Sequence, residues 1–192
     1  MRYFLFSSFI LINLLVACNN NKGNKKVVDS NKDSTSVELS EPDAVLQRME
    51  KMKKLVPFNA ERVKALFPEE FAGTTKSDYT AINNEGYEAG EAHYKSDDGK
   101  ELDVTIFDCA GEAGAGKYNI MFASYLNTES ADDNGYKKSI RFNGDKAIES
   151  YDKKQDRYAL LFLSGDRLLI NVEGNGADIV KQAAGRLASG TN

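Results

Sequence analysis

One histidine, two cysteines, no tryptophan and no surplus of positive charge mark this sequence. A zinc site is built from several Cys and His ligands, so His93, Cys18 and Cys109 cannot supply one. Asp132-Asp133-Asn134-Gly135 offers oxygen ligands but lacks the spacing and terminal Glu of a calcium loop, and reads as a turn. No metal and no cofactor is expected. The 25 basic residues are outnumbered by 29 acidic ones. The first 17 residues hold one of these, Arg2, so the net charge of −4 becomes −5 from Cys18 onward. That balance excludes the basic footprint of a nucleic-acid binder and argues against electrostatic docking on anionic lipid.

No apolar run reaches the roughly 20 residues needed to cross a bilayer. The run from Tyr3 to Ala17 is interrupted by Ser7, Ser8 and Asn13 and follows Met1-Arg2. Its length and place fit the apolar region of a signal peptide over residues 1–17. It ends Leu15-Val16-Ala17-Cys18, which resembles the lipobox of bacterial lipoproteins. The resemblance implies that Cys18 becomes the mature N-terminus and carries acyl chains, giving membrane attachment in the cell envelope. Asn19 follows where enterobacterial lipoproteins retained at the inner membrane carry Asp, which favours the outer membrane in a cell that has one. The asparagine-rich start is similar to lipoproteins of the Bacteroidetes. An acylated Cys18 cannot pair, which leaves Cys109 without an intramolecular partner.

Residues 18–41, the lipidated cysteine and a polar segment poor in aliphatics and without aromatics, read as a flexible linker. A coil of that length spans roughly 25 Å. Within it Asp33-Ser34-Thr35 resembles the short O-glycosylation site of Bacteroidetes exported proteins, which implies Ser34 as the acceptor.

Residues 42–190 are expected to form a single α+β domain. Ser40 with Asp43 makes a capping-box-like start, and Val45, Met49 and Met52 form one stripe of a helix. Asn59 caps a second short helix that Pro68 ends. Strands are expected over Tyr79–Ile82, Tyr87–Lys95 and Leu102–Phe107, then over Tyr136–Phe142, Lys146–Tyr151, Tyr158–Leu163 and Leu168–Glu173, with Asn143-Gly144 as the clearest hairpin turn. A helix follows with Tyr118, Met121, Phe122 and Tyr125 on one face, and Thr128 to Gly135 reads as a surface loop. Asp178 opens a final helix packing through Ile179, Val180, Ala183, Ala184 and Leu187. Tight hairpins mean antiparallel pairing, so one twisted antiparallel sheet with helices mainly on one face is expected. In element order this resembles Mog1 and PsbP-like domains. Phe58 to Gly73, a strand ending at Asp108, Tyr136–Tyr151, and Gly165-Asp166-Arg167 followed by Val172-Glu173-Gly174-Asn175-Gly176 are similar to an uncharacterised group of bacterial exported domains, a likeness that implies no activity.

Gly111-Glu112-Ala113-Gly114-Ala115-Gly116-Lys117 matches the P-loop pattern, yet Tyr118 stands where a magnesium-binding Ser or Thr belongs and the flanking strands read as antiparallel. It is expected to be a flexible loop leading into a helix, with an anion at the helix N-terminus as a weaker alternative. Cys109 would need a base, and His93 is the only imidazole. Glu69-Glu70 and Asp97-Asp98 are adjacent carboxylates that usually point apart. Phe107 and Phe142 are expected on an outer sheet face that could meet a protein partner. No catalytic, cofactor-binding or metal residue emerges. The sequence reads as a non-enzymatic binding or assembly module on a lipid anchor, with an envelope enzyme using Cys109 or paired carboxylates as the alternative.

Overall fold

The computed structural model describes residues 41–84 and 86–190. Two helices, α1 (Glu41–Lys53) and α2 (Ala60–Lys64), precede strands β1 (Glu70–Phe71), β2 (Thr74–Asn84), β3 (Tyr87–Lys95) and β4 (Glu101–Asp108). Helix α3 (Gly111–Met121) leads through a 3-10 turn, Ala123–Tyr125, to β5 (Ser130–Asp132), β6 (Gly135–Phe142), β7 (Asp145–Asp152), β8 (Arg157–Ser164) and β9 (Leu168–Gly174), and α4 (Ala177–Gly190) follows. The described strands form one antiparallel sheet in the order β1-β2-β3-β4-β9-β8-β7-β6-β5. The fold is α+β.

Two meanders run inward from opposite edges and meet where β4 pairs with β9, Val104 opposite Val172 and Ile106 opposite Ile170. Turn chemistry sets the hairpins. Asn143 and Gly144 (φ 50° and 84°) and Gly165 and Asp166 (φ 59° and 52°) all lie in the left-handed region that a type I′ hairpin turn requires. Asn59 caps α2 as its sequence suggests, accepting a bond from the Arg62 amide at 2.9 Å.

The helices cover both faces rather than mainly one. On one face α2 and α4 bury Val63, Ile179, Ala183 and Leu187 against Val104, Ile106, Ile170 and Phe162. On the other, Met52 of α1 and Ala115 and Tyr118 of α3 pack with Phe107, Ile148 and Leu169. The strands carry apolar residues at both parities where the helices lie, so Leu168, Leu169 and Ile170 are all buried. Phe107 and Phe142, expected together on an outer face, part company as a result. Phe107 lies beneath α3, with Lys117 Nζ 5.3 Å from its ring centre, and Phe142 packs edge-on against Phe162 at 4.9 Å in the opposite core. Neither forms an open apolar surface.

Two further segments differ from expectation. Residues 128–135 are not wholly loop: β5 is a short, exposed, acidic edge strand, the kind that discourages edge-to-edge pairing. Tyr125 stands in the 3-10 turn and is 41% exposed, outside the helical face to which Tyr118 and Phe122 belong. No helix among the described residues is long and apolar enough to cross a membrane.

Candidate functional site

Cys18, Ser34 and Ser40 lie outside the described residues. The motifs that do fall within them are mostly fastenings. Residues 111–117 are helix α3 itself, not a loop. Gly114 is there for contact: a Cβ on it would meet the Cys109 carbonyl carbon at 2.5 Å and the Asp108 oxygen at 2.8 Å, so glycine lets the helix lie directly on the end of β4. Lys117 sits in mid-helix, its ammonium 5.3 Å from the Tyr87 and Phe107 ring centres.

Cys109 is fully buried, and burial pushes its thiol up to about 12. A thiol so protonated is no nucleophile at neutral pH. His93 is opposite Asp103, and Cys109 is six residues further along, about 20 Å at 3.3 Å per residue. The two are not brought together. Glu69 pairs with Lys76 and Asp98 with Lys100 in exposed positions, while Asp132 caps its own turn by accepting the Asn134 amide at 2.7 Å.

The strand end at Asp108 and the segment 165–176 fasten the fold. Asp108, at the end of its strand, takes a two-pronged bond from Arg167 of the Gly165-Asp166-Arg167 turn, both contacts at 2.8 Å. The guanidinium also donates to the Val56 carbonyl and lies 3.3 Å from the Phe58 ring centre. Asn175 bridges the amide of Glu101 and the carbonyl of Gly99.

Two arrangements remain that sequence reasoning missed. The first is a row of charge across the half of the sheet that α1 and α3 leave open: His93 on β3 bonds Asp103 on β4, and Arg157 on β8 bonds both Asp103 and Glu173 on β9. Asp103 and Glu173 are directly opposite in register. These residues are 10 to about 80 positions apart in sequence, so no spacing rule joins them.

The second is a groove of about 520 Å³ between the first half of α1, the 3-10 turn and the β6–β7 hairpin. Val45, Leu46 and Leu126 give it apolar walls, and Arg48, Arg141 and Lys146 give it cations beside one carboxylate, Asp145. Its size is that of a small-molecule or acyl-chain site. Leu46 is 60% exposed although it belongs to a helix with a well-packed inner stripe. Arg48 holds the groove's shape by bonding Asp145 and Asp166, each at 2.8 Å, which ties α1 to two hairpins. Beneath it the buried Tyr118 phenol is pushed up by desolvation, against the pull of the neighbouring guanidinium. Lys146 donates to Asn127, and Lys137 lies 4.1 Å from the ring centre of the exposed Tyr125. The signal in the sequence was Leu46, an apolar residue off the Val45–Met49–Met52 stripe.

No protein-family profile, no curated protein and no solved structure matches the chain.

Proposed function

We propose that this chain is a membrane-anchored envelope lipoprotein whose folded part is a non-enzymatic binding or assembly module. The observation that carries the anchor is the run Tyr3–Ala17 ending in Leu15-Val16-Ala17-Cys18. A thiol is the nucleophile that diacylglycerol transfer needs, and a small residue before it lets a peptidase reach the backbone. Several acyl chains hold a protein stably where one holds it only marginally. The binding role is supported by the groove, which joins apolar walls to fixed cations, and by the burial of Cys109 about 20 Å from His93 at 3.3 Å per residue. Replacing Cys18 with Ala should abolish metabolic palmitate labelling in the native host. Labelling that persists in the variant refutes the anchor.

A second reading, an envelope enzyme using paired carboxylates, is favoured by the Asp103–Glu173 pair with His93 beside it. Arg157 already neutralises that pair, as it would in a structural ion network. An enzyme predicts that Asp103→Asn removes a cellular phenotype while the melting temperature holds. A network predicts that any phenotype follows the loss of stability.

A further inference from the structure

We infer that the groove between α1 and the β6–β7 hairpin docks on anionic phospholipid of the bilayer to which the chain is tethered. The inference rests on the lipid-anchor reading for its setting and on the groove's chemistry for its content. The linker from Cys18 joins the fold at Glu41, and the next residue, Pro42, lines the groove. The end of the fold that the tether pulls toward the membrane is therefore the end that carries the groove. On the anchor reading only residues 19–41 separate the acylated cysteine from Pro42, so the tether attaches beside the groove. Such closeness raises the effective concentration of headgroups at this rim above that at any other face.

The chemistry of the rim matches an anionic lipid at two levels. Arg141 and Lys146 bring positive charge to the groove, whose one carboxylate, Asp145, is met by Arg48; Lys137 lies over Tyr125 of the adjoining 3-10 turn, and Leu46, exposed on the α1 wall, offers an apolar contact to the acyl region. Tyr125, exposed and stacked by Lys137, has the amphipathic ring that favours the headgroup level. The net charge of −5 argues against docking by the molecule as a whole but does not decide what happens at this rim. Screening limits each charge to about 8–10 Å, so the membrane senses the rim that faces it and not the sum over the molecule.

The test uses the mature chain, residues 18–192, carrying Cys18→Ser and so free of acyl groups, and flotation with vesicles. Binding is expected to phosphatidylcholine vesicles containing roughly one-third phosphatidylglycerol, to weaken as salt rises, and to be much poorer on phosphatidylcholine alone. Arg141→Glu with Lys146→Glu should lower that binding at least about tenfold, and Leu46→Glu should lower it too, with melting unchanged in both. Equal binding to both vesicle types, or binding indifferent to these substitutions, overturns the inference. In intact cells a photo-crosslinker at Leu46 of the lipidated protein should capture phospholipid, and capture of an envelope protein instead overturns it. The outcomes separate from those of the anchor. Palmitate labelling without flotation sinks docking alone, and flotation without labelling sinks the anchor alone.

Discussion

Arg167 grips Asp108 with two parallel bonds, Nε to Oδ1 and Nη2 to Oδ2, each 2.8 Å long, around a carboxylate whose side chain has no exposed surface. The same carboxylate accepts the Phe58 amide at 2.7 Å and the Ala110 amide at 3.2 Å. One buried charge thus joins the end of β4, the β8–β9 turn and the segment between α1 and α2. Removing one partner strands the other, so Arg167→Met should cost about 3 kcal/mol or more in urea unfolding. A loss under about 1 kcal/mol would assign the clasp no structural weight.

Two glycines of α3 should respond in opposite directions to alanine. Gly116 has nothing within 4 Å of a built Cβ, so Gly116→Ala should stabilise by about 0.5–1 kcal/mol through helix propensity. Gly114→Ala drives a methyl into the Cys109 and Asp108 backbone and should destabilise by several times that amount. Thermal melts of the two variants side by side decide it, and a stabilised Gly114→Ala would mean that α3 does not lie on β4.

Cys109 should be silent to iodoacetamide in the native protein and should react once urea unfolds it. Its folded value near 12 exceeds the unfolded value of about 8.5. The stabilisation of the protonated thiol is therefore complete below about pH 8.5 and is lost as pH rises toward 12. Stability measured across that window should fall less steeply in Cys109→Ala than in the parent chain, though the variant starts lower by about 1–2 kcal/mol for its cavity.

Glu149 gives the opposite pH dependence. Burial works to raise its carboxyl, but bonds from Lys181, Lys138 and Tyr136 prevail and hold it below the usual range. A carboxyl depressed on folding stabilises the protein above its unfolded value, about 4.3, and that contribution disappears as pH falls through the folded value. Glu149→Gln should be less stable at neutral pH and should show a flatter decline below about pH 4.5 in denaturant midpoints. An acid limb identical to that of the parent would show that the three donors do not favour the charged form.

Much of the fold was legible because its signals are local. Tyr87–Lys95 is a strand with the bounds its alternation suggests, and Asn143-Gly144 turns where its chemistry demands. The placement of helices over two faces was not legible. Helix α3 is poor in large apolar residues, because it packs through Gly114 and Ala115, and such packing leaves little periodicity to read. Phe107 was the overlooked sign: a large apolar residue at the outward parity of β4 needs a cover, and α3 supplies it. Of the candidate site, Leu46 was visible in the sequence as an apolar residue off the packing stripe. The groove it lines was not, because its other walls come from residues about 80 to 100 positions away.

By itself the sequence determined most of the strand and turn positions and the antiparallel habit of the sheet, since each depends on residues within a few positions of one another. Only the tertiary structure decided which faces are covered, that Cys109 and His93 lie apart, and that Arg48, Arg141 and Lys146 share a groove with Leu46. The reason is one of range. Periodicity and turn chemistry act along the chain. Burial and charge clusters depend on contacts such as Arg48 with Asp145, 97 residues apart, which exist only once the sheet has closed between β4 and β9.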